Sequence, residues 1–277
     1  MSVRLVLASA PLSLAERYGD FAGAASTQPS FGLACLAAAG MSAGAQVSVV
    51  EAAANDLSID ETRRTIISSK PDIVGISATT AGINAAGELA AELKKDKPGL
   101  LVVAGGCHTT ALPEETLNRF AGIDLAVMRE GEITLQEIVN RVSSSSNLSG
   151  LAGTAERTRG NIRINPHREY IKNLDSLPLP AWSLFEGFPR RYRPSPARIR
   201  RWPCASVVLT RGCPNRCTFC DRSVFGHLCR SYSPEYAVEL VKDLAENYGV
   251  KEILIEDDTF IISRQRVEQF CKLIIEK

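Results

Sequence analysis

Cys213, Cys217 and Cys220 stand at C-x3-C-x2-C spacing, with Phe219 just before the last of them. Three thiolates so spaced on one loop can take three corners of an iron–sulfur cubane and leave the fourth iron without a protein ligand. An open iron is a place where a small molecule can bind and react. Zinc is the competing occupant, but zinc sites usually close with four ligands in paired spacings, and no second C-x2-C or C-x2-H partner follows here. A 4Fe-4S cluster is therefore the expectation. The remaining cysteines, Cys35, Cys107, Cys204, Cys229 and Cys271, are isolated, and each reads as a buried or incidental thiol.

A loop that wraps a cluster needs firm elements on both sides. The run Ala205 to Thr210 reads as a strand leading into it. After it, Ser233-Pro234-Glu235 combines a cap, a first-turn proline and an acidic residue, the signature of a helix start, and Gly249 is a natural stop. Ile253 to Ile255 is the next strand, followed by Glu256-Asp257-Asp258-Thr259-Phe260 and a helix from Arg264 to Ile275. Carboxylates at the carboxyl end of a barrel strand lie on the rim where active sites are built.

The first half alternates strands and helices. Val3 to Ala8, Val47 to Val50, Ile73 to Ser77, Leu100 to Ala104 and Leu125 to Met128 are strand-like runs. Helices are expected from Ser30 to Met41, near Ile59 to Ser68, from about Ala81 to Lys95 and from Glu132 to Val142. This alternation predicts a doubly wound parallel sheet covered on both faces, with its ligand site outside the carboxyl ends of the strands. The residues there are small and polar: Ser77-Ala78-Thr79-Thr80, Gly105-Gly106-Cys107-His108-Thr109 and Arg129-Glu130-Gly131-Glu132. Paired glycines would let a flat ring or a nucleotide tail approach the backbone, or would simply make a tight turn.

The whole chain has 277 residues, 45% of them hydrophobic and 23% charged, with a formal net charge of +1. That charge gives no long-range pull toward nucleic acid or anionic membranes. No apolar run is long enough for a membrane span, and the N-terminus does not read as a signal peptide, so a cytoplasmic protein is expected. Eight cysteines spread over such a chain fit metal ligation in a reducing compartment better than a disulfide framework. Arg190, Arg191, Arg193, Arg198, Arg200 and Arg201 form a basic stretch that reads as a solvated loop, since neither periodicity nor aromatic interleaving suggests a nucleic-acid surface.

The strings PDIVGISATT, VVAGGCHTTALPEETL and DLAVMREGEITLQEIV resemble the cobalamin-binding domain that precedes many radical S-adenosylmethionine (SAM) enzymes. The cysteine motif resembles the cluster motif of those enzymes, LDSLPLPAW resembles the segment joining their two domains, and EDDTF resembles their acidic element after the second barrel strand. The resemblance implies a Rossmann-like cobalamin domain over residues 1–145, a linker over 146–203 with Trp182 packed at the junction, and the first βα units of a partial TIM barrel over 204–277. It also implies that Ser77, Gly105 and Gly106 surround the dimethylbenzimidazole tail of cobalamin, with Thr79 and Gly131 on the same strand-end loops. His108 either bonds the periphery of that cofactor or only stabilises its loop; His167 and His227 read as ordinary polar residues.

By the same resemblance, the open iron would bind the amino and carboxylate groups of SAM, Phe219 would lie against the adenine, and Asp257 or Asp258 would hold the SAM amino group. An electron from the reduced cluster, delivered by a partner such as flavodoxin or ferredoxin, would cleave SAM to methionine and a deoxyadenosyl radical. The implied reaction is methyl transfer to an unactivated carbon of a small molecule, or a related radical rearrangement or cyclisation. The other reading is a cobalamin-binding or docking module with a vestigial cluster loop. Ser9-Ala10-Pro11-Leu12 departs from the Asp-x-His-x-x-Gly element of methionine-synthase-type domains, so no protein histidine is expected on cobalt. Only two βα units can be read in the second half, against the roughly 200 to 250 residues of a full barrel. An incomplete radical domain is thus expected, with Ile253, Leu254, Phe270, Leu273 and Ile274 lacking cover and the chain prone to associate.

Overall fold

A computed structural model describes residues 2–276. In the first half, β1 (Arg4–Ser9), β2 (Gln46–Val50), β3 (Ile73–Ser77), β4 (Leu101–Gly105) and β5 (Leu125–Val127) pair in parallel in the order β2-β1-β3-β4-β5. Between them run α1 (Leu14–Tyr18), α2 (Phe31–Ser42), α3 (Ile59–Ser68), α4 (Ile83–Asp96), α5 (Cys107–Ala111) and α6 (Pro113–Arg119), and α7 (Glu132–Ser143) follows β5. The starts are set locally: Ser30 Oγ accepts from the Leu33 amide, and Ser58 forms a capping box with Glu61.

Strand alternation divides the apolar side chains between two faces. Leu5, Leu7, Val103 and Leu125 pack with Leu33 of α2 and Leu135 and Ile138 of α7. Val6, Val74, Ile76 and Val102 pack on the other face with Leu89 and Leu93 of α4. With both faces covered, the strands read as near-continuous apolar runs, as the sequence suggested.

The segment 146–203, expected as a linker, also contributes to the sheet. Strands β6 (Thr154–Thr158) and β7 (Asn161–Ile164) add antiparallel to β5 and extend the sheet to seven strands. The hairpin was hidden because its buried positions are partly polar. Glu156 is buried, accepting from the Gly150 amide at 2.8 Å and from Ser149 Oγ at 3.1 Å, and Arg157 donates to carbonyls of Leu117, Phe120 and Ile123. Its two-residue turn, Arg159-Gly160, has φ of 50° and 86°, the sign demanded by a tight hairpin turn.

Trp182 is the joint between the halves. It is 1% exposed, stacks on Phe188 at 4.7 Å and meets Phe31 and Phe185 at 6.0 and 5.5 Å. The apolar core continues from it into the second half, where β8 (Cys204–Val207) pairs in parallel with β11 (Glu252–Ile255). These strands are joined through α8 (Pro234–Tyr248), and α9 (Arg264–Glu276) follows β11. The expected strand Ala205 to Thr210 breaks at Val208-Leu209, beyond which β9 (Thr210–Arg211) pairs antiparallel with β10 (Arg230–Ser231). Of the apolar residues expected to lack cover, Phe270 is buried against Phe260, and Ile253 and Leu273 pack on the core. Ile274 is exposed, as are Ile261, Ile262 and Ile275.

Candidate cofactor sites

The parallel register brings the strand ends level: Ser9 pairs with Ser77, and Ser77 with Gly105. Sheet order reverses about β1, and a cavity of about 250 Å³ lies there against Leu7, Leu33, Ser77, Gly105, Gly106 and Gly131. This is the crevice where open α/β sheets bind ligands. Glycines contribute part of its lining. Gly106 has φ of +110°, and a Cβ on it would sit 2.5 Å from the Ala78 carbonyl oxygen. At Gly105 a Cβ would meet only Val127, at 3.9 Å. Gly75, inside β3, leaves room for Leu7, whose Cδ2 would be 2.7 Å from a Cβ there.

Two expected residues lie off this wall. Thr79 is exposed, and His108 is 6% exposed with its Nδ1 3.2 Å from Thr80 Oγ1; neither lines the cavity. Burial holds the His108 imidazole below its ordinary pKa.

The three motif cysteines lie on the loop between β9 and β10. The loop is tied at its base by the β9–β10 ladder and by the Cys213 amide donating to the Gly226 carbonyl at 3.3 Å. Cys213 is half-buried, Cys217 and Cys220 are exposed, and all three are free thiols. Among the described residues, no three His, Cys, Asp or Glu side chains converge closely enough to hold a metal ion. The donor set nonetheless suits a cubane: three soft thiolates on one accessible loop. Phe219 is 91% exposed at the tip.

The two candidate carboxylates have different surroundings. Asp257 Oδ1 accepts from the Leu209 amide at 2.6 Å, bracing the break between β8 and β9, and burial raises its pKa above the usual carboxylate value. Asp258 is exposed.

The cavity's remaining wall comes from the second half: Val208, Arg211, Val224 and Phe225. Arg211 donates to Glu130 at 2.9 Å and to Glu132 at 2.6 Å, while Arg230 donates to Glu130 at 2.8 Å. All four charged residues are buried. Burial alone would lower the pKa of the Arg211 guanidinium, but its neighbours, Glu132 foremost, reverse this and hold it above its ordinary value. Cys35, nearby in α2, is pushed up to about 12 by burial, which keeps it a neutral thiol. The sequence offered a signal for this network, an acidic Glu-x-Glu after β5 and an arginine just before the cysteines, but spacing alone could not pair them.

The basic stretch is largely engaged locally. Arg190 and Arg193 lie over the Trp202 ring, Arg191 pairs with Glu186, and Arg198 pairs with Glu256. Among the described residues no helix is long and apolar enough to cross a membrane.

A doubly wound domain with a glycine-walled crevice, docked on a βα unit with a three-cysteine loop, defines the class. Residues 20–139 match the B12 binding domain family, and residues 207–277 match the Radical SAM superfamily. The chain belongs to the radical SAM proteins that carry a B12-binding domain ahead of the radical SAM domain. It is 35% identical over 241 residues to an uncharacterised methyltransferase of Pyrococcus horikoshii, covering 87% of this chain and 51% of that protein. It is 30% identical over 234 residues to the anaerobic magnesium-protoporphyrin IX monomethyl ester cyclase of Rubrivivax gelatinosus, covering 82% of this chain and 41% of that one. The chain thus spans about half the length, or less, of these relatives. The fold is shared with OxsB, a cobalamin-dependent SAM radical enzyme solved with aqua-cobalamin and SAM bound. That match has a TM-score of 0.78 and 19% identity over 100% of this chain and 37% of the OxsB chain.

Proposed function

We infer that this chain holds cobalamin in the strand-end cavity and a 4Fe-4S cluster on Cys213, Cys217 and Cys220. It serves a radical SAM enzyme that methylates an unactivated carbon of a small molecule or carries out a related rearrangement or cyclisation. One observation carries the reading: the cavity at the sheet's switch point is closed by Arg211, Val224 and Phe225, which belong to the cysteine loop and its flank. The two cofactor sites share a wall. When bound, the cluster would supply the electron that cleaves SAM, and cobalamin a corrin-held cobalt that can carry a methyl group.

The protein's part is binding and positioning. Gly105, Gly106 and Gly131 expose backbone to the flat tail of cobalamin, and Ser77 offers a hydroxyl beside them. His108 and Thr79 act on the flanking loops rather than on the tail. Phe219 offers a ring face for the adenine, and Asp258 is the rim carboxylate free to hold the SAM ammonium, since Asp257 is committed to the Leu209 amide. The domains are then a cobalamin unit whose sheet runs through Ile164, a connection through Trp182 to about residue 203, and the cluster unit from Cys204 onward. The electron would come from a flavodoxin- or ferredoxin-type donor.

Anaerobic reconstitution tests this reading. The protein should take up about four irons per chain and bind added cobalamin. The triple variant Cys213→Ala, Cys217→Ala, Cys220→Ala should lose the cluster absorption while Cys271→Ala keeps it. Stoichiometric zinc without iron in protein isolated without oxygen would sink the assignment.

A further inference from the structure

Four buried charges join the halves, and stability alone is a poor account of them. Removing two carboxylates and two guanidinium groups from water costs several kcal/mol per ion, and apolar residues would serve as well as glue. Their placement is informative. Glu130 and Glu132 flank Gly131 on the cavity wall. Arg211 lines the same cavity, stands two residues before Cys213, and lies over the ring of Phe225, another cavity residue, at 5.5 Å. Arg230 pairs with Arg211 across the β9–β10 ladder and closes the far end of the cysteine loop. It donates to the Phe225 carbonyl within that loop at 3.1 Å and to the Ile171 carbonyl at 2.8 Å. Glu130 also accepts from the Ile171 amide at 2.9 Å. Both ends of the cysteine loop are therefore fastened by charge-assisted bonds to the wall of the cavity.

Resting on the reading that this cavity takes cobalamin, we propose that Arg211 and Arg230, through Glu132 and Glu130, are positioning residues that couple the two sites. Filling the cavity fixes Arg211 and Phe225, and the cysteine loop is held in the arrangement that binds the cluster. By linkage, the cluster tightens cobalamin by the same factor.

The experiment titrates the full chain with hydroxocobalamin in two forms, with the cluster reconstituted and with iron and sulfide omitted, and compares the dissociation constants. The wild-type protein should bind cobalamin about 5- to 50-fold more tightly when the cluster is present. Arg211→Lys should bring that ratio close to one. Should it fold poorly, the paired Glu132→Gln, Arg211→Met variant removes both partners and leaves Glu130 balanced by Arg230. If the variants weaken cobalamin equally in both forms, so that the ratio stays at its wild-type value, the network is only structural and the proposal fails. A ratio of one in the wild type also overturns it while leaving the cofactor reading intact. No cobalamin binding in either form would overturn both.

Discussion

Gly106 and Ala78 meet backbone to backbone: a Cβ on Gly106 would stand 2.5 Å from the Ala78 carbonyl oxygen, while the Ala78 amide donates to the Gly105 carbonyl at 2.9 Å. The loops after β3 and β4 are thereby fastened together at the mouth of the cavity. Neighbouring glycines thus serve different ends, one for conformation and one for space.

Gly106→Ala should cost about 1–3 kcal/mol of stability, because it forces a side chain into a disfavoured backbone region against a fixed carbonyl. Gly105→Leu should unfold at nearly the wild-type urea concentration yet bind cobalamin at least about tenfold more weakly, as Gly105 lines the cavity and a Cβ there meets only Val127. Equal losses of stability in the two variants would show that the glycines have one common role.

His108 is held by Thr80 and does not face the cavity. Cobalamin bound to this chain should therefore give an absorption spectrum without histidine on cobalt, and His108→Ala should leave that spectrum unchanged. A shift on this substitution would place the imidazole at the metal.

The raised pKa of Asp257 carries a sign. Its carboxyl keeps its proton in the folded chain at pH values where the unfolded chain has released it. Its contribution to stability is full below the unfolded value and is lost as pH rises through the folded value. Asp257→Asn keeps an acceptor for the Leu209 amide and removes the ionisation. Relative to wild type, this variant should be more stable at about pH 7 than at about pH 4, measured by urea midpoints. The opposite ordering would mean that the ionised form is the one stabilised in the fold.

Ile261 and Ile275 are 81% and 84% exposed in the C-terminal unit. Isolated protein should associate reversibly, and Ile261→Asp with Ile275→Lys should shift it toward monomer in light scattering. A wild-type chain that stays monomeric at about 100 µM, well within the range where such patches act, would remove this expectation.

The succession of strands and helices and the parallel doubly wound class were legible in the sequence, since runs such as Ile73 to Ser77 are apolar enough to be buried on both faces, and helix caps such as Ser30 and Ser233 are local signals. The sequence also supplied the expectation of a cluster on Cys213, Cys217 and Cys220, because cysteine spacing is chemistry written along the chain. Three-dimensional packing decided the rest. The β6–β7 hairpin buries Glu156 through contacts that no apolar pattern announces. Thr79 and His108 share loops with cavity residues but turn away from the cavity, a matter of side-chain direction. Arg211 is 81 residues from Glu130 and 79 from Glu132, so only the docking of one half on the other could show that the cavity wall and the cysteine loop are held by the same charges.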